Sequence, residues 1–287
     1  MASFRVLITR TADAAGALIE ELTSAFAPSA HRLEMVCVPV RVAAFEEACL
    51  VSEELSKLRE DGYDWLTFTS VNGVRGFARL ASELGLTPFE LAGKSRVACV
   101  GKTTAQSLKK VGFTAVFVPE TQDAAHLVAS WPALDAALSV LCIQGAQARP
   151  TLVEGLSQGG MRADTLTVYR MEKFPAPAPL ASCTATEYRV PELPTAAVLP
   201  FLPDTQVLIA TAPSLLAELY EEFRQAGGSA GAFPPLVAIG ASTAAEARRL
   251  GLEHIISEYP QAPFLAKAAQ TLADLHLQGS QEPTHAE

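Results

Sequence analysis

VACVGKTTA, residues 97–105, is an apolar run that ends in Gly, Lys and two threonines. A phosphate-binding P-loop needs a further Gly five positions before the Gly-Lys pair, so that successive backbone N–H groups wrap the phosphates. Position 96 is Arg, and for the neighbouring Gly93-Lys94-Ser95 the corresponding place is held by Pro88. The meaning of the stretch comes instead from a second copy, LVAIGASTA at residues 236–244, which matches it in residue type at almost every place. Gly101, Thr104 and Gly112 recur at one constant separation as Gly240, Thr243 and Gly251. Each copy predicts a short buried strand, a Gly turn, a helix opened by Thr-Ala, and a Gly that stops the helix. Lys102 becomes Ala241 in the second copy, so whatever the copies share does not need the lysine.

Two more units are duplicated. DWLTFTSVNGVRGFARL (64–80) predicts a strand ending in Thr69-Ser70 and then a helix with Val74, Phe77 and Leu80 at helical spacing. TQVLIATAPSLLAEL (205–219) repeats that plan with Thr211 in the place of Thr69, and VLITR with its helix (6–22) resembles VLCIQGAQARPTLVEGL (140–156). Strands alternating with helices imply parallel sheets with helices on both faces. The order of units fits two contiguous domains, and equally a discontinuous arrangement in which the first unit packs with the last two. The β-rich stretches 33–43 and 164–172 follow the two copies of the first unit and fit crossings between domains. Residues 174–203, rich in Pro and Ala, read as a linker or loop insertion, and the final QGSQEPTHAE as a frayed end.

The chain has 287 residues, enough for about two domains, and is 49% hydrophobic and 18% charged, which marks an ordered, core-rich protein. Its net charge of -9 gives no basic footprint for nucleic acid or an anionic membrane. The five cysteines (Cys37, Cys49, Cys99, Cys142, Cys183) are widely spaced with no C-x-x-C pair, and read as reduced thiols, mostly buried. The five histidines are scattered, so a zinc site has little support, and no metal is expected. The apolar run at the N-terminus is too short for a signal peptide, and no stretch approaches the ~20 apolar residues of a spanning helix. A cytoplasmic location is the expectation.

Taken together, V-L-I-T-R at 6–10, W-L-T-F-T-S-V-N-G-V at 65–74, V-G-K-T-T-A at 100–105, V-Y at 168–169 and I-G-A-S-T-A at 239–244 resemble the uroporphyrinogen-III synthase family in order and spacing. The resemblance implies an α/β fold of two similar domains, each a parallel sheet flanked by helices, joined by a two-stranded connection with the active site in the interdomain cleft. One domain would be discontinuous, residues 1–36 with 174–287, and the other central, 40–168. The connecting strands would be about 33–43 and 164–173, and 278–287 a tail. The chain departs from the family where F-T-S-P-S-A-V is usual in the second half: it reads I-A-T-A-P-S-L-L, and Ala212 removes a hydroxyl. The insertion after Phe174 is also longer than usual.

The family substrate is hydroxymethylbilane, a linear tetrapyrrole with eight carboxylates, which loses water and closes with inversion of its last pyrrole ring. Unassisted closure occurs without inversion, so the protein must fold the chain and steer the attack, a positioning effect that supplies ~7–11 kcal/mol in good geometry. No cofactor is chemically required. A transient contact with hydroxymethylbilane synthase, which makes the substrate, fits the resemblance. Helix N-termini favour carboxylates without adding net charge. Four such starts, with flanking hydroxyls and backbone, give the expected binding residues Thr69, Ser70 and Asn72; Gly101, Lys102, Thr103 and Thr104; Thr211 and Ser214; and Gly240, Ser242 and Thr243. Arg10 and Arg149 would add charge. Each hydroxyl has a plain alternative as a helix cap worth ~1 kcal/mol, and each Arg as a solvated surface residue. Tyr169, carried over from the family's V-Y position, is the catalytic candidate: a phenol of ordinary pKa ~10 stays protonated and donates to the departing hydroxyl. A two-domain module that binds an anionic metabolite or linear tetrapyrrole without turnover is the alternative, favoured by the altered second-half motif and the insertion.

Overall fold

The computed structural model describes residues 3–27, 32–60, 62–114, 116–131, 138–180 and 190–279. In chain order the first elements are β1 (Ser3–Ile8), α1 (Ala12–Phe26), β2 (Arg32–Cys37), β3 (Arg41–Phe45), α2 (Glu53–Glu60), β4 (Trp65–Phe68), α3 (Val71–Glu83) and α4 (Pro88–Ala92). There follow β5 (Arg96–Cys99), α5 (Lys102–Lys110), β6 (Val116–Phe117), α6 (Ala124–Ala129), β7 (Ser139–Gly145), α7 (Thr151–Gln158) and β8 (Arg162–Lys173). The last are α8 (Thr195–Val198), β9 (Val207–Ala210), α9 (Pro213–Gln225), β10 (Leu236–Ala238), α10 (Ala241–Arg249), β11 (His254–Ile256) and α11 (Ala262–Gly279).

These elements pack as two units. The described residues of Met1–Val42, Lys173–Pro175 and Ser182–Glu287 form the first, and those of Ala43–Glu172 and Ala176–Ala181 the second. The first unit holds a five-stranded sheet in the order β11-β10-β9-β1-β2, and the second a sheet in the order β3-β8-β7-β4-β5-β6. All neighbours in the first sheet are parallel, as are β8, β7, β4, β5 and β6 in the second. The duplicated sequence units occupy equivalent places: β1, β9 and β10 stand in the order that β7, β4 and β5 take in the other sheet.

Strand alternation explains the two-faced packing. In β1 and β9, Val6, Ile8, Val207 and Ile209 pack toward α1 and α11, while Leu7, Leu208 and Ala210 pack toward α9 and α10. In β7, Leu141 and Ile143 join Val74, Phe77 and Leu80 of α3, while Val140 and Cys142 join Leu152 and Leu156 of α7. Close approach is possible because Gly76 of α3 lies over β8: a Cβ there would stand 2.7 Å from Val168 Cγ2.

Two expectations need adjustment. The run 33–43 is not one strand, since β2 pairs with β1 in the first sheet and β3 lies beside β8 in the second. The Pro-rich stretch is not a free linker over its described length: Ala178 O accepts from Phe45 N at 2.8 Å, and Val190, Val198 and Leu202 are buried in the first unit. Helix α11 ends at Gly279, and the rest of the expected tail, from residue 280, lies outside the described residues. Cys37, Cys49, Cys99 and Cys142 are free and buried, whereas Cys183 lies outside the described residues. No described helix is long and apolar enough to cross a membrane.

Candidate active site

In the second unit the carboxyl ends of the parallel strands surround a cavity of about 500 Å³. This is the edge at which open α/β sheets bind ligands. Thr69 follows β4, Val100 follows β5, Gly145 ends β7, Tyr169 lies on β8, and Asp123 opens α6; all line the cavity, with Gln147 and Arg149 from the β7–α7 turn.

Tyr169 owes its placement to a break in strand register. Gln144 pairs with Thr167, yet the next residue, Gly145, pairs with Tyr169, so one extra residue enters β8 there. The Tyr169 carbonyl accepts from Ala146 N at 2.9 Å, which fixes the backbone. The ring lies so close over Gly145 that a Cβ at that position would stand 2.5 Å from Tyr169 Cζ. The phenolic oxygen is 3.1 Å from Ser70 Oγ, which also accepts from Gly73 N at 3.0 Å as the N-cap of α3. Thus Thr69, Arg149 and Tyr169 share one cavity, with Ser70 bound to Tyr169. Arg149 is exposed, and Asn72 is half-buried in the first turn of α3.

The Gly-Lys-Thr-Thr turn behaves differently. Gly101 is the N-cap of α5, and the side chain that caps this end is Gln122, whose Oε1 accepts from Lys102 N at 2.9 Å. Lys102 and Thr103 are exposed, while Thr104 faces the core with Ala105 and Leu108. Gln122, 20 residues away in sequence, carried no motif that would have marked it. At Asp123, bonds from the His126 backbone N–H and ring hold the carboxyl below the usual carboxylate range. Burial pushes the Cys99 thiol up to about 11, so it stays protonated and is no nucleophile at neutral pH.

In the first unit the corresponding strand ends carry the other expected residues. Thr211 Oγ1 donates to the Thr9 carbonyl at 3.0 Å, and Thr9 Oγ1 accepts from Thr211 N at the same distance, tying β1 to β9. Arg10, just after β1, is half-buried, and that burial lowers its pKa. Ala212 caps α9 without a side-chain bond, as its missing hydroxyl requires, and Ser214 is exposed in the first turn. Gly240 caps α10 with no side-chain bond, leaving Ser242 exposed. Thr243 is fully buried, with a hydroxyl that has no partner among the described residues. The start of α1 is taken by Glu192 of the Pro-rich stretch, whose Oε1 accepts from Ala12 N. Among the described residues no group of His, Cys, Asp and Glu is placed to hold a metal.

The family model for uroporphyrinogen-III synthase (HemD) matches residues 5–267. The chain belongs to the uroporphyrinogen-III synthase family. A uroporphyrinogen-III synthase from Chlorobaculum parvum is 31% identical over 205 residues, 70% of this chain and 76% of that protein. A porphyrin biosynthesis protein HemD from Ruminiclostridium josui is 32% identical over 123 residues, 43% of this chain; the match spans only 23% of that longer protein. Two solved uroporphyrinogen III synthases share the fold. The one from Helicobacter pylori has a TM-score of 0.59 at 16% identity, covering 95% of this chain and 100% of that one. A variant from the extreme thermophile Thermus thermophilus has a TM-score of 0.56 at 16% identity with the same coverage. Family membership therefore includes the α/β fold of two similar halves.

Proposed function

We propose that this member of the uroporphyrinogen-III synthase family is itself the cyclising lyase: it converts hydroxymethylbilane to uroporphyrinogen III with loss of water and inversion of the last pyrrole ring. The observation that carries this reading is the Tyr169 phenol, set over Gly145 and beside Ser70 at the wall of a cavity at the strand ends. Tyr169 donates its proton to the departing hydroxyl, which leaves as water. The electron-deficient carbon left behind is attacked by the last pyrrole ring at its already substituted α-carbon. The bond from that α-carbon to its methylene bridge then breaks and re-forms at the ring's free α-carbon, which inverts the ring, and the proton lost from that second carbon balances the one donated. The rest of the task is orientation, since an unheld chain closes without inversion.

The substrate's carboxylates need donors in an acidic protein. Arg149 supplies charge at the cavity, and Lys102 and Thr103 are exposed beside the start of α5. In the first unit, α9 and α10 begin at Ala212 and Gly240 without side-chain caps, so their first N–H groups are candidates for carboxylates, with Ser214 and Ser242 beside them. Thr104 and Thr243 are buried and Thr211 is bonded to Thr9, so these three act in this reading as structural support rather than direct contacts. A cytoplasmic location and a passing contact with hydroxymethylbilane synthase belong to the same reading. The test is an isomer-resolved assay: hydroxymethylbilane is generated in situ, the protein is added, and oxidised products are separated into type I and type III uroporphyrins. Type III as the main product supports the proposal; type I alone at the spontaneous rate refutes it.

A further inference from the structure

Ser70 looked in the sequence like a substrate-binding hydroxyl, but its bonds point elsewhere. Its Oγ accepts from Gly73 N at 3.0 Å and stands 3.1 Å from the Tyr169 hydroxyl. A serine oxygen has one proton and two lone pairs. Gly73 N–H must be the donor in the first bond, so it occupies one lone pair and leaves the serine proton and the second lone pair open to Tyr169. Accepting a bond from the positive end of the 13-residue α3 polarises that proton and makes Ser70 a better donor. With Ser70 donating, the tyrosine proton is not consumed by Ser70. It is then available to the cavity that Tyr169 lines.

We propose that Ser70 is a positioning residue of the reaction: it donates to the phenolic oxygen of Tyr169, holds the ring against Gly145, and leaves the phenolic proton directed at substrate. The same bond favours the state in which Tyr169 has given its proton away, because the oxygen then carries negative charge beside a donor backed by a helix N-terminus. Ser70 makes no substrate contact in this account. The inference rests on the lyase reading above, and its test separates the two.

The difficulty is that Ser70 also caps α3, so Ser70→Ala lowers stability whatever its role. Glycine at an N-cap costs little stability relative to serine yet lacks the hydroxyl. The experiment is therefore steady-state kinetics and thermal unfolding of wild type, Ser70→Gly, Ser70→Ala and Ser70→Thr, with product isomers resolved. Ser70→Gly is expected to unfold within a few degrees of wild type and to lose about tenfold in kcat, equivalent to ~1.4 kcal/mol, with KM within twofold. Ser70→Ala shows the same kcat loss at lower stability, and Ser70→Thr restores most of kcat. Two results overturn the inference while the wild type still makes type III: wild-type kcat in Ser70→Gly, or a loss carried by KM, which would make Ser70 a substrate contact. Inactivity of the wild type itself overturns the lyase reading instead.

Discussion

Tyr169 is held from two sides by residues distant in sequence, Gly145 under the ring and Ser70, 99 residues away, at the hydroxyl. Replacing it with Phe keeps the ring and removes the proton, so Tyr169→Phe is expected to lower turnover at least several-fold while leaving thermal unfolding close to wild type; wild-type turnover would remove Tyr169 from the mechanism. Gly145→Ala places a methyl where the ring now lies, so the Tyr169 ring must swing away from its present position. We expect Gly145→Ala to lower activity at least tenfold with the chain still folded by circular dichroism. Activity unchanged in that variant would show that the ring position is unimportant. Tyr169 was legible in the sequence only through the V-Y resemblance, because a lone tyrosine in a strand is otherwise an ordinary packing residue. Ser70 was legible as a cap but not as its partner, since that contact depends on how β4 and β8 flank β7. Thr104 and Thr243 both turn inward and are buried, a shared orientation that duplication alone does not reveal.

At the scale of elements, strands and helices followed from apolar periodicity wherever they were long and duplicated. Short edge strands such as β6 and β11 gave little signal, because two or three residues do not define a period. The packed turns at 195–204 were hidden for a related reason: Pro-rich composition resembles a linker, and the burial of Val198 and Leu202 comes from tertiary contacts. The contact of α3 with β8 makes a sharp prediction. Gly76→Ala puts a Cβ 2.9 Å from the Val168 carbonyl oxygen, backbone that cannot turn aside, and overpacking of this kind costs about 1–3 kcal/mol despite the better helix propensity of Ala. Denaturant unfolding checks this, and a more stable variant would contradict it. The starts of β4 and β7 are joined by Asp64, whose Oδ2 accepts from Ser139 N at 2.7 Å and Oγ at 2.8 Å. Those bonds hold its carboxyl below the usual range. A depressed folded pKa gives stability that is present above the unfolded value of ~3.9 and is lost as pH falls through the folded one. Asp64→Asn is therefore expected to melt below wild type at pH 7, with the gap closing in melts run near pH 3; a gap of equal size at both would exclude the ionised carboxylate as its source.

Over the whole molecule the sequence repeat is the most informative feature, because it predicts two sheets with the same strand order, and the order β10-β9-β1 does match β5-β4-β7. Each sheet carries its own pair of apolar faces, so the chain's stability rests on two separate cores. The net charge of -9 sets the functional problem, since an acidic protein must gather N–H groups and a few cations where a polyanionic substrate is to bind. The most direct measurement is the ratio of type III to type I product as a function of protein concentration, with hydroxymethylbilane generated at a constant rate. The account predicts that type III rises with protein and that type I falls below the level formed without it, because captured substrate no longer closes unassisted. If type I persists at the spontaneous level while the folded protein binds the linear tetrapyrrole, the chain is a binding module and the central claim fails.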